Sequence, residues 1–178
     1  DIYVADLVGI AMTREMGAMM TGIIMAGRTG ASFAAQIGNM KVTEEIDALE
    51  TFGISPMQYL VVPRMVALFL MMPLLTLYAD FVGMFGGAIV GLGMLKITPE
   101  QYLNHTMDAV SMTNFVIGLM KGSVFGVLVA VSGCLRGMQC GRDSAAVGEA
   151  TTSAVVTSIV LIILTDAIFT VVCNVLGV

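Results

Sequence analysis

Charged side chains stand inside long apolar tracts of this sequence, where an ionisable group is costly unless it is paired or faces a polar cavity. They are Arg14, Glu15, Asp80, Lys121 and Asp166. Lys121 and Asp166 have opposite charges in consecutive apolar tracts, so we expect them to pair. Arg14 and Glu15 are neighbours about 100° apart on a helix, so we expect them to contact different partners. These charges form either a structural ion-pair network or a polar patch near a lipid headgroup or a moving interface. We expect a structural pair at Lys121 and Asp166, with Arg14 and Glu15 contacting lipid or a second subunit.

Residue types that build catalytic, metal or nucleotide sites are too scattered to form one here. His105, the single histidine, stands in a predicted loop without partners, so we expect it to be solvated. Cys134, Cys140 and Cys173 lack the spacing of a zinc site or a disulfide framework, so we expect reduced, structural thiols. The glycine-rich segment 136–149 lacks the lysine and the spacing of a phosphate-binding loop. The sequence therefore predicts a protein that is not an enzyme and needs no cofactor.

The composition is that of an integral membrane protein. Hydrophobic residues make up 57% of the chain and charged residues 12%, whereas soluble domains carry about 25% charged residues. The mean hydropathy is +0.93. A net charge of −5, without a basic tract among aromatic residues, argues against nucleic-acid binding. The sequence begins at Asp1 rather than at a methionine, so we expect it to be incomplete, and it offers no signal peptide to read.

Long apolar tracts are the elements that must position the charges. The predicted spans are residues 7–40, 63–95, 112–135 and 153–178. Each is long enough to cross the hydrocarbon core as a helix, which takes about 20 residues. The fold class predicted is an all-α polytopic membrane protein with one transmembrane domain over residues 1–178. Lys121 then lies in the outer half of the third span and Asp166 near the middle of the fourth, so their pairing requires staggered spans.

Small residues recur every four positions in the first three spans. The rows are Ala18, Gly22, Ala26, Gly30, Ala34 and Gly38; Gly9, Thr13, Gly17 and Thr21; Ala79, Gly83, Gly87 and Gly91; and Gly118, Gly122, Gly126 and Ala130. Such rows let helix backbones approach closely in lipid. They serve either packing within the subunit or a dimer contact, and we expect packing within the subunit.

Residues 42–63 are the longest polar interruption and predict a short amphipathic helix between the first two spans. Thr43 is the expected N-cap, and Gly53 suits the left-handed position after the helix. Pro56 follows the helix end, and Pro63 suits the first turn of the next span. The acidic residues are Glu44, Glu45, Asp47 and Glu50, and the apolar ones are Ile46, Leu49 and Phe52. Such a helix is either a solvated connector or the docking element that a transporter offers to a motor subunit.

Basic residues in the polar breaks predict the orientation. Those on one side are Arg28, Lys41, Arg64, Arg136 and Arg142, and only Lys96 lies on the other. The positive-inside rule then places the amphipathic helix and segment 136–149 in the cytoplasm.

The sequence resembles the MlaE/YrbE permease family in three stretches. They are GRTGASFAAQIGNMKVTEEIDALETFGISPMQYLVVPR at 27–64, REMG at 14–17 and PLLTLYADFVGMFGGAIVG at 73–91. The resemblance extends over essentially the whole chain and is most specific in 27–64. The family more often has Arg-Glu-Leu-Gly-Pro where Met16 and Ala18 stand here.

The resemblance implies a homodimeric inner-membrane permease of an ABC transporter. Such a permease works with an MCE-domain protein, moves phospholipid or a related lipid, and maintains outer-membrane lipid asymmetry. A separate cytoplasmic ATPase would dock on a coupling helix that matches residues 44–52, through Glu44, Glu45, Ile46, Asp47, Leu49 and Phe52. By the same resemblance, Arg14, Glu15, Lys121 and Asp166 match the family's charged positions inside the membrane. Family members also have an N-terminal interfacial helix and a further transmembrane helix, which are missing from this sequence.

Two functions of other classes stay open from the sequence: a self-sufficient secondary transporter and a structural membrane scaffold. Secondary transporters usually show inverted repeats and discontinuous helices near the membrane midplane, and neither pattern is found here. Copurification of an ATPase whose turnover rises with lipid would separate an ABC permease from both alternatives.

Overall fold

The computed structural model describes residues 3–94 and 98–176, and all regular structure in these two segments is helical. The helices are α1 (Tyr3–Ala11), α2 (Gly17–Met25), α3 (Ala31–Val42), α4 (Glu45–Thr51), α5 (Val62–Met94), α6 (Pro99–Ala109), α7 (Met112–Met138) and α8 (Ser144–Leu176). Three π-helical turns, at Met12–Met16, Ala26–Gly30 and Met57–Val61, connect α1 to α2, connect α2 to α3 and lead into α5.

Four helical stretches are long and apolar enough to cross a membrane. They are Asp6–Val42, Met57–Gly93, Met112–Met138 and Ser144–Leu176, which we call the first to fourth spans. The predicted all-α polytopic architecture with four spans is therefore confirmed.

The second span begins earlier than expected. Pro56, rather than Pro63, lies at its start, and a π turn follows directly at Met57–Val61. A π turn takes up one extra residue, which makes room where the Pro63 ring would clash with a carbonyl of the preceding turn. Pro63 itself lies in the first turn of α5 (Val62–Met94), as predicted, and the π turn before it extends the span.

The fourth span also begins earlier, at Ser144 instead of residue 153. The Asp143 carboxylate accepts a hydrogen bond from the Ala146 N–H at 2.6 Å and so caps the first turn. The polar loop predicted at 136–149 is consequently reduced to the short turn 139–143 between α7 and α8. Lys96, the basic residue expected on the opposite side, lies outside the described residues.

The third span is the centre of the bundle, because it contacts the other three spans and is the most buried of them. Its glycines allow this. A Cβ on Gly133 would lie 2.7 Å from the Gly30 carbonyl oxygen, and one on Gly126 would lie 2.8 Å from the Leu68 carbonyl oxygen. On the facing row, a Cβ on Gly22 would touch Phe125 at 3.4 Å. The small-residue rows therefore pack spans together within the subunit, as expected.

The polar break after the second span contains a helix, α6, rather than a loop. It begins after Thr98, whose ψ of 147° is extended, with Pro99 in the first turn. Tyr102 is buried over Gly91, and its hydroxyl donates to the Met84 carbonyl at 3.2 Å. His105 lies on this helix with Nδ1 3.5 Å from an Asp6 carboxylate oxygen. The expectation of a loop is therefore wrong, whereas the expected contact of His105 with solvent is present, since its side chain is 44% exposed.

Candidate functional site

Lys121 is the centre of the intramembrane charges and is completely buried, with 0% of its side chain exposed. It lies on the third span between Gly118 and Gly122. A Cβ on Gly118 would clash with the Thr13 carbonyl oxygen, and one on Gly122 would approach the Thr76 hydroxyl at 2.5 Å. The third span is thus pressed against the first and second spans at this level, and Lys121 meets its partners on the first and fourth.

The ammonium group of Lys121 has an acceptor for each of its three donors. Nζ donates to Glu15 Oε2 at 2.5 Å, to Asp166 Oδ1 at 3.0 Å and to Thr170 Oγ1 at 3.3 Å. The Thr170 hydroxyl donates its own proton to the Asp166 carbonyl at 2.9 Å, which leaves its oxygen free to accept. The predicted contact of Lys121 with Asp166 is present, and Glu15 and Thr170 complete it.

The spans need no stagger to make this contact. Nine residues separate Glu15 from Asp6 and Lys121 from Met112, and ten separate Asp166 from Leu176. At 1.5 Å per residue each charge lies about 14–15 Å from the end of its span that is opposite to α4. The expectation that Asp166 lies near the middle of its span is wrong, because the fourth span begins at Ser144, before its apolar sequence starts.

Arg14 and Glu15 partly follow the prediction of separate partners. Arg14 Nη1 donates to the Asn114 side-chain oxygen at 3.2 Å, whereas Glu15 reaches Lys121. The two side chains also approach each other, with Arg14 Nε 3.9 Å from Glu15 Oε1. Both residues lie in the π turn Met12–Met16. Its wider turn reduces the angle between neighbouring side chains, so both can face the third span.

These side chains form a charge-balanced group, which we call the lysine centre: Arg14, Glu15, Lys121, Asp166 and Thr170. Its lysine is sealed, but Glu15 is 29% and Asp166 13% exposed. Arg14 is 27% exposed, so a polar group arriving from outside would meet this guanidinium and the carboxylates before Lys121 and could exchange partners with them. The chemistry available is ion pairing and hydrogen bonding.

Asp80 is a neighbouring carboxyl that has no hydrogen-bond partner for its Oδ1 among the described residues. It is 1% exposed and fills the notch left by Gly17, just after the π turn of the lysine centre. The sequence predicted a carboxyl group at membrane depth at Asp80, but it did not predict that Asp80 contacts the first span at Gly17. Asn114 and Thr170 were missed as members or contacts of the centre, although Thr170 follows Asp166 by four residues and so shares its helix face.

The short amphipathic helix is α4, one residue shorter at each end than the predicted segment 44–52. Thr43 is not its N-cap: the Thr43 hydroxyl donates to the Asn39 carbonyl at 3.1 Å and so completes the first span. Glu44 takes the cap position with a left-handed φ of 61°, without a side-chain cap bond. This turn is sharp because only Thr43 and Glu44 connect α3 to α4.

The helix ends as predicted, with Gly53 in the left-handed conformation at φ 75°. The Gly53 N–H donates to the Glu50 carbonyl and the Ile54 N–H to the Leu49 carbonyl, both at 3.0 Å. This pair of bonds is a Schellman motif, in which glycine avoids the strain of the left-handed position.

The predicted apolar face of α4 is divided between two environments. Ile46 is buried in a cluster with Ile37, Val61 and Cys134, so the expectation that it enters a partner's groove is wrong. Phe52, in contrast, is 81% exposed. The exposed apolar residues continue beyond the helix with Ile54, Met57 and Tyr59. We call Phe52, Ile54, Met57 and Tyr59 the exposed coupling patch.

Charged residues surround this patch on the same end of the bundle. Glu44, Glu45 and Glu50 are exposed, and Asp47 accepts a hydrogen bond from Arg142 Nη2 at 3.2 Å. Two of the basic residues predicted for one membrane side have partners in the bundle, since Lys41 contacts Met138 and Arg64 contacts Gln36.

Comparison with known proteins gives concordant matches. The protein-family model described as permease MlaE matches residues 1–172. A probable ABC transporter permease of Rickettsia typhi is 41% identical over 167 residues, which cover 94% of this chain and 64% of the relative. A probable ABC transporter permease of Synechocystis is 39% identical, over 92% of this chain and 62% of the relative. The chloroplastic protein trigalactosyldiacylglycerol 1 of Arabidopsis thaliana is 35% identical, over 92% of this chain and 47% of the relative. The chain thus spans less than two thirds of the length of these relatives.

Proposed function

Because the chain belongs to the MlaE permease family, we propose that it forms the membrane subunit of an ABC transporter that moves phospholipid or a related lipid. The permease works as a homodimer in the bacterial inner membrane. It receives its energy from a separate cytoplasmic ATPase and exchanges lipid with an MCE-domain protein. This exchange maintains the lipid asymmetry of the outer membrane.

The lysine centre is the observation that carries the lipid assignment. A buried cation with two partly exposed carboxylates lies in the outer part of a bundle whose second and fourth spans expose apolar side chains. Ionisable residues inside the membrane commonly mark substrate paths or proton relays. A phospholipid offers a charged headgroup to the centre and acyl chains to the apolar surface. The Arabidopsis relative is named after a galactolipid, which supports a membrane lipid as the substrate.

The exposed coupling patch supports the assignment of a separate ATPase. Phe52 protrudes from the cytoplasmic end among Glu45 and Glu50, and interface anchors are typically large side chains of this type. The sequence offers no phosphate-binding loop of its own, so hydrolysis takes place on the partner.

The test is reconstitution of the full-length protein with its copurified ATPase in vesicles of phosphatidylethanolamine and phosphatidylglycerol. We expect ATP turnover to rise with these lipids, and ATP to drive transfer of a labelled lipid to the MCE-domain protein. Lipid movement without the ATPase would instead indicate a secondary transporter, and the absence of movement with intact assembly would indicate a scaffold. A monomer in native mass measurements of the complex would contradict the homodimer.

A further inference from the structure

A polar pocket lies between the third and fourth spans, at the end of the bundle that carries α4. Its volume is about 300 Å³, and its polar wall consists of Arg136, Gln139, Glu149 and Ser153. Cys140 forms another part of the wall; it is buried against the first span. Ligand pockets measure about 300–1,000 Å³, so this one has room for a lipid headgroup but not for a whole lipid.

Two opposite charges line this pocket without pairing with each other. Arg136 Nε donates to the Thr157 hydroxyl at 3.2 Å, which fixes the guanidinium beside the fourth span. The terminal nitrogens of Arg136 have no partner among the described residues. Glu149 is exposed and has no hydrogen bond or salt bridge within the described part of the chain. The pocket therefore offers a ligand both a guanidinium and a carboxylate.

A ligand that carries both charges matches this pair. Guanidinium groups bind phosphate oxygens through charge-assisted hydrogen bonds, and carboxylates accept such bonds from ammonium groups. The phosphoethanolamine headgroup has a phosphate and a primary ammonium joined by a short linker. It would therefore satisfy Arg136 and Glu149 together. The headgroup of phosphatidylglycerol has the phosphate but no cation, so it would leave Glu149 near a second negative charge.

An exposed apolar surface continues from the pocket toward the membrane interior. Its members are Val131 and Leu135 of the third span and Val156 and Val160 of the fourth. The first two precede Gln139 by eight and four residues, and the other two follow Glu149 by seven and eleven. Each pair thus shares a helix face with a residue of the pocket. The acyl chains of a lipid whose headgroup occupies the pocket would lie along this surface.

The pocket is remote from the lysine centre. Fifteen residues separate Arg136 from Lys121, and seventeen separate Glu149 from Asp166. These separations correspond to about 22–26 Å of helical rise. The hydrocarbon core of a bilayer is about 30 Å thick, so the two charged sites belong to opposite halves of the membrane.

We propose that this pocket binds the phosphoethanolamine headgroup of a phospholipid, with Arg136 on the phosphate and Glu149 on the ammonium group. The lipid lies in the leaflet on the α4 side. The proposal rests on the proposed function for its substrate class and for the identity of this leaflet as the cytoplasmic one. It adds a second headgroup site and a preference for zwitterionic over anionic phospholipid.

The experiment measures how lipid protects a reporter thiol in the pocket of the full-length complex. Ser153→Cys supplies the thiol, and the partly exposed Cys173 is replaced by Ser. The same protein without Ser153→Cys gives the background from the buried Cys134 and Cys140. Maleimide labelling is followed in detergent while short-chain phosphatidylethanolamine or short-chain phosphatidylglycerol is added. Glycerophosphoethanolamine, which has no acyl chains, distinguishes a soluble ligand from a lipid.

The variants are Arg136→Gln and Glu149→Gln, with Arg142→Gln as the matched control. Arg142 has the same charge and lies in the adjacent turn, but it donates to Asp47 on α4 and does not line the pocket. Since Glu149 is exposed, Glu149→Gln keeps the test valid if Arg136→Gln reduces folding.

We expect phosphatidylethanolamine to slow labelling at concentrations at which phosphatidylglycerol has little effect. Arg136→Gln should raise the half-protecting concentration of phosphatidylethanolamine about tenfold, as for the loss of one charged hydrogen bond. Glu149→Gln should weaken protection by phosphatidylethanolamine and strengthen protection by phosphatidylglycerol, a reversal that a general loss of structure does not produce. Arg142→Gln should behave like the parent.

Three results would overturn the proposal. The first is equal protection by the two lipids in the parent, or an unchanged preference in Glu149→Gln. The second is protection by glycerophosphoethanolamine as strong as that by the lipid, which would assign the pocket to a soluble ligand. The third is a reporter that reacts only after the ATPase is removed, which would show that a protein covers the pocket.

This measurement needs no ATP, so its failure differs from failure of the proposed function. ATP-driven lipid transfer without protection of the reporter would remove the headgroup site and leave the proposed function in place. Protection with the expected preference, in a complex that transfers no lipid, would support the headgroup site and count against the proposed function.

Discussion

At the scale of single residues, Lys121 shows how a charged side chain that is costly in lipid is stabilised by its hydrogen bonds. Its three donors are all used, and two of its acceptors are carboxylates from spans that lie far apart in sequence. Loss of the lysine leaves two acids facing each other, whereas loss of Asp166 leaves Lys121 with Glu15. The members of the centre are therefore not equivalent.

The first prediction concerns this asymmetry. Lys121→Met should destabilise the protein by about 3–5 kcal/mol, as for other buried pairs that lose one partner, and Asp166→Leu by clearly less. The double variant should be less defective than the sum of the singles, because no orphan acid remains at Asp166. Unfolding in mild detergent and protein level measure stability, and lipid transfer measures function. Strictly additive losses would reject the pairing, and normal folding with lost transfer would place the charges on the lipid path.

Asp80 gives a contrasting prediction. Its Oδ1 has no partner among the described residues, so the negative charge is not required for a bond. Asp80→Asn keeps the shape and should leave stability unchanged or improved. The isosteric Asp166→Asn removes charge from an acceptor of Lys121 and should lower stability. Side-by-side thermal unfolding decides this: an Asp80→Asn loss as large as that of Asp166→Asn would show that Asp80 has an ionic partner.

At the scale of elements, α4 has a buried side and an exposed side. Ile46 fixes it to the bundle, while the Schellman end at Gly53 turns the chain so that the exposed coupling patch faces outward. Only Thr43 and Glu44 connect α4 to the first span, so α4 has little freedom to move relative to that span. The helix is thus held rigidly against the rest of the permease.

The third prediction separates the two sides of this helix. Phe52→Asp should abolish ATPase copurification while changing the stability of the permease by less than about 0.5 kcal/mol, as expected at an exposed position. Ile46→Ala should instead destabilise the permease by about 2–5 kcal/mol, because it leaves a cavity in the cluster. Glu50→Gln is the control for charge alone and should have little effect, since exposed charges contribute little. Full copurification and lipid-stimulated turnover with Phe52→Asp would refute the docking assignment.

At the scale of the whole molecule, close backbone contact holds the bundle together where apolar side chains have lipid as an equally good environment. The third span shows this at Gly118, Gly126 and Gly133, each of which faces a backbone carbonyl of another span. Apolar side chains are exposed mainly on the second and fourth spans. Glycines therefore stand where the spans contact each other, and large apolar side chains cover the outer surface of the bundle.

The fourth prediction tests this organisation with two helical glycines, of which one faces another backbone closely and the other faces open space. Gly133→Ala places a Cβ against the Gly30 backbone and should destabilise the protein by about 1–3 kcal/mol. Gly86→Ala meets nothing within 4 Å and should be neutral or stabilising, because alanine favours a helix. Thermal unfolding of both variants in one detergent gives the comparison. Equal effects would mean that the close approach of the first and third spans is not what holds them.

The sequence by itself determined the features that depend on neighbouring residues: the four spans, the helix between residues 42 and 63, its end at Gly53, and the rows of small residues. Hydropathy, caps and four-residue spacing are local signals, so they can be recognised without knowledge of the fold. The sequence also identified the charged residues of the lysine centre, but of the contacts of Lys121 only the one with Asp166 was predicted.

Only the tertiary structure decided the contacts between distant residues. Glu15 and Lys121 are 106 residues apart, and their contact depends on a π turn for which the sequence gives no signal. The burial of Ile46 likewise results from residues of three different spans, whereas Phe52, of the same apolar pattern, stays exposed. The early starts of the second and fourth spans have a local origin instead, in the π turn Met57–Val61 and in the cap that Asp143 provides for Ala146. Hydropathy reports where a helix can lie in lipid, but the ends that continue into polar sequence are set by hydrogen bonds and packing beyond the membrane.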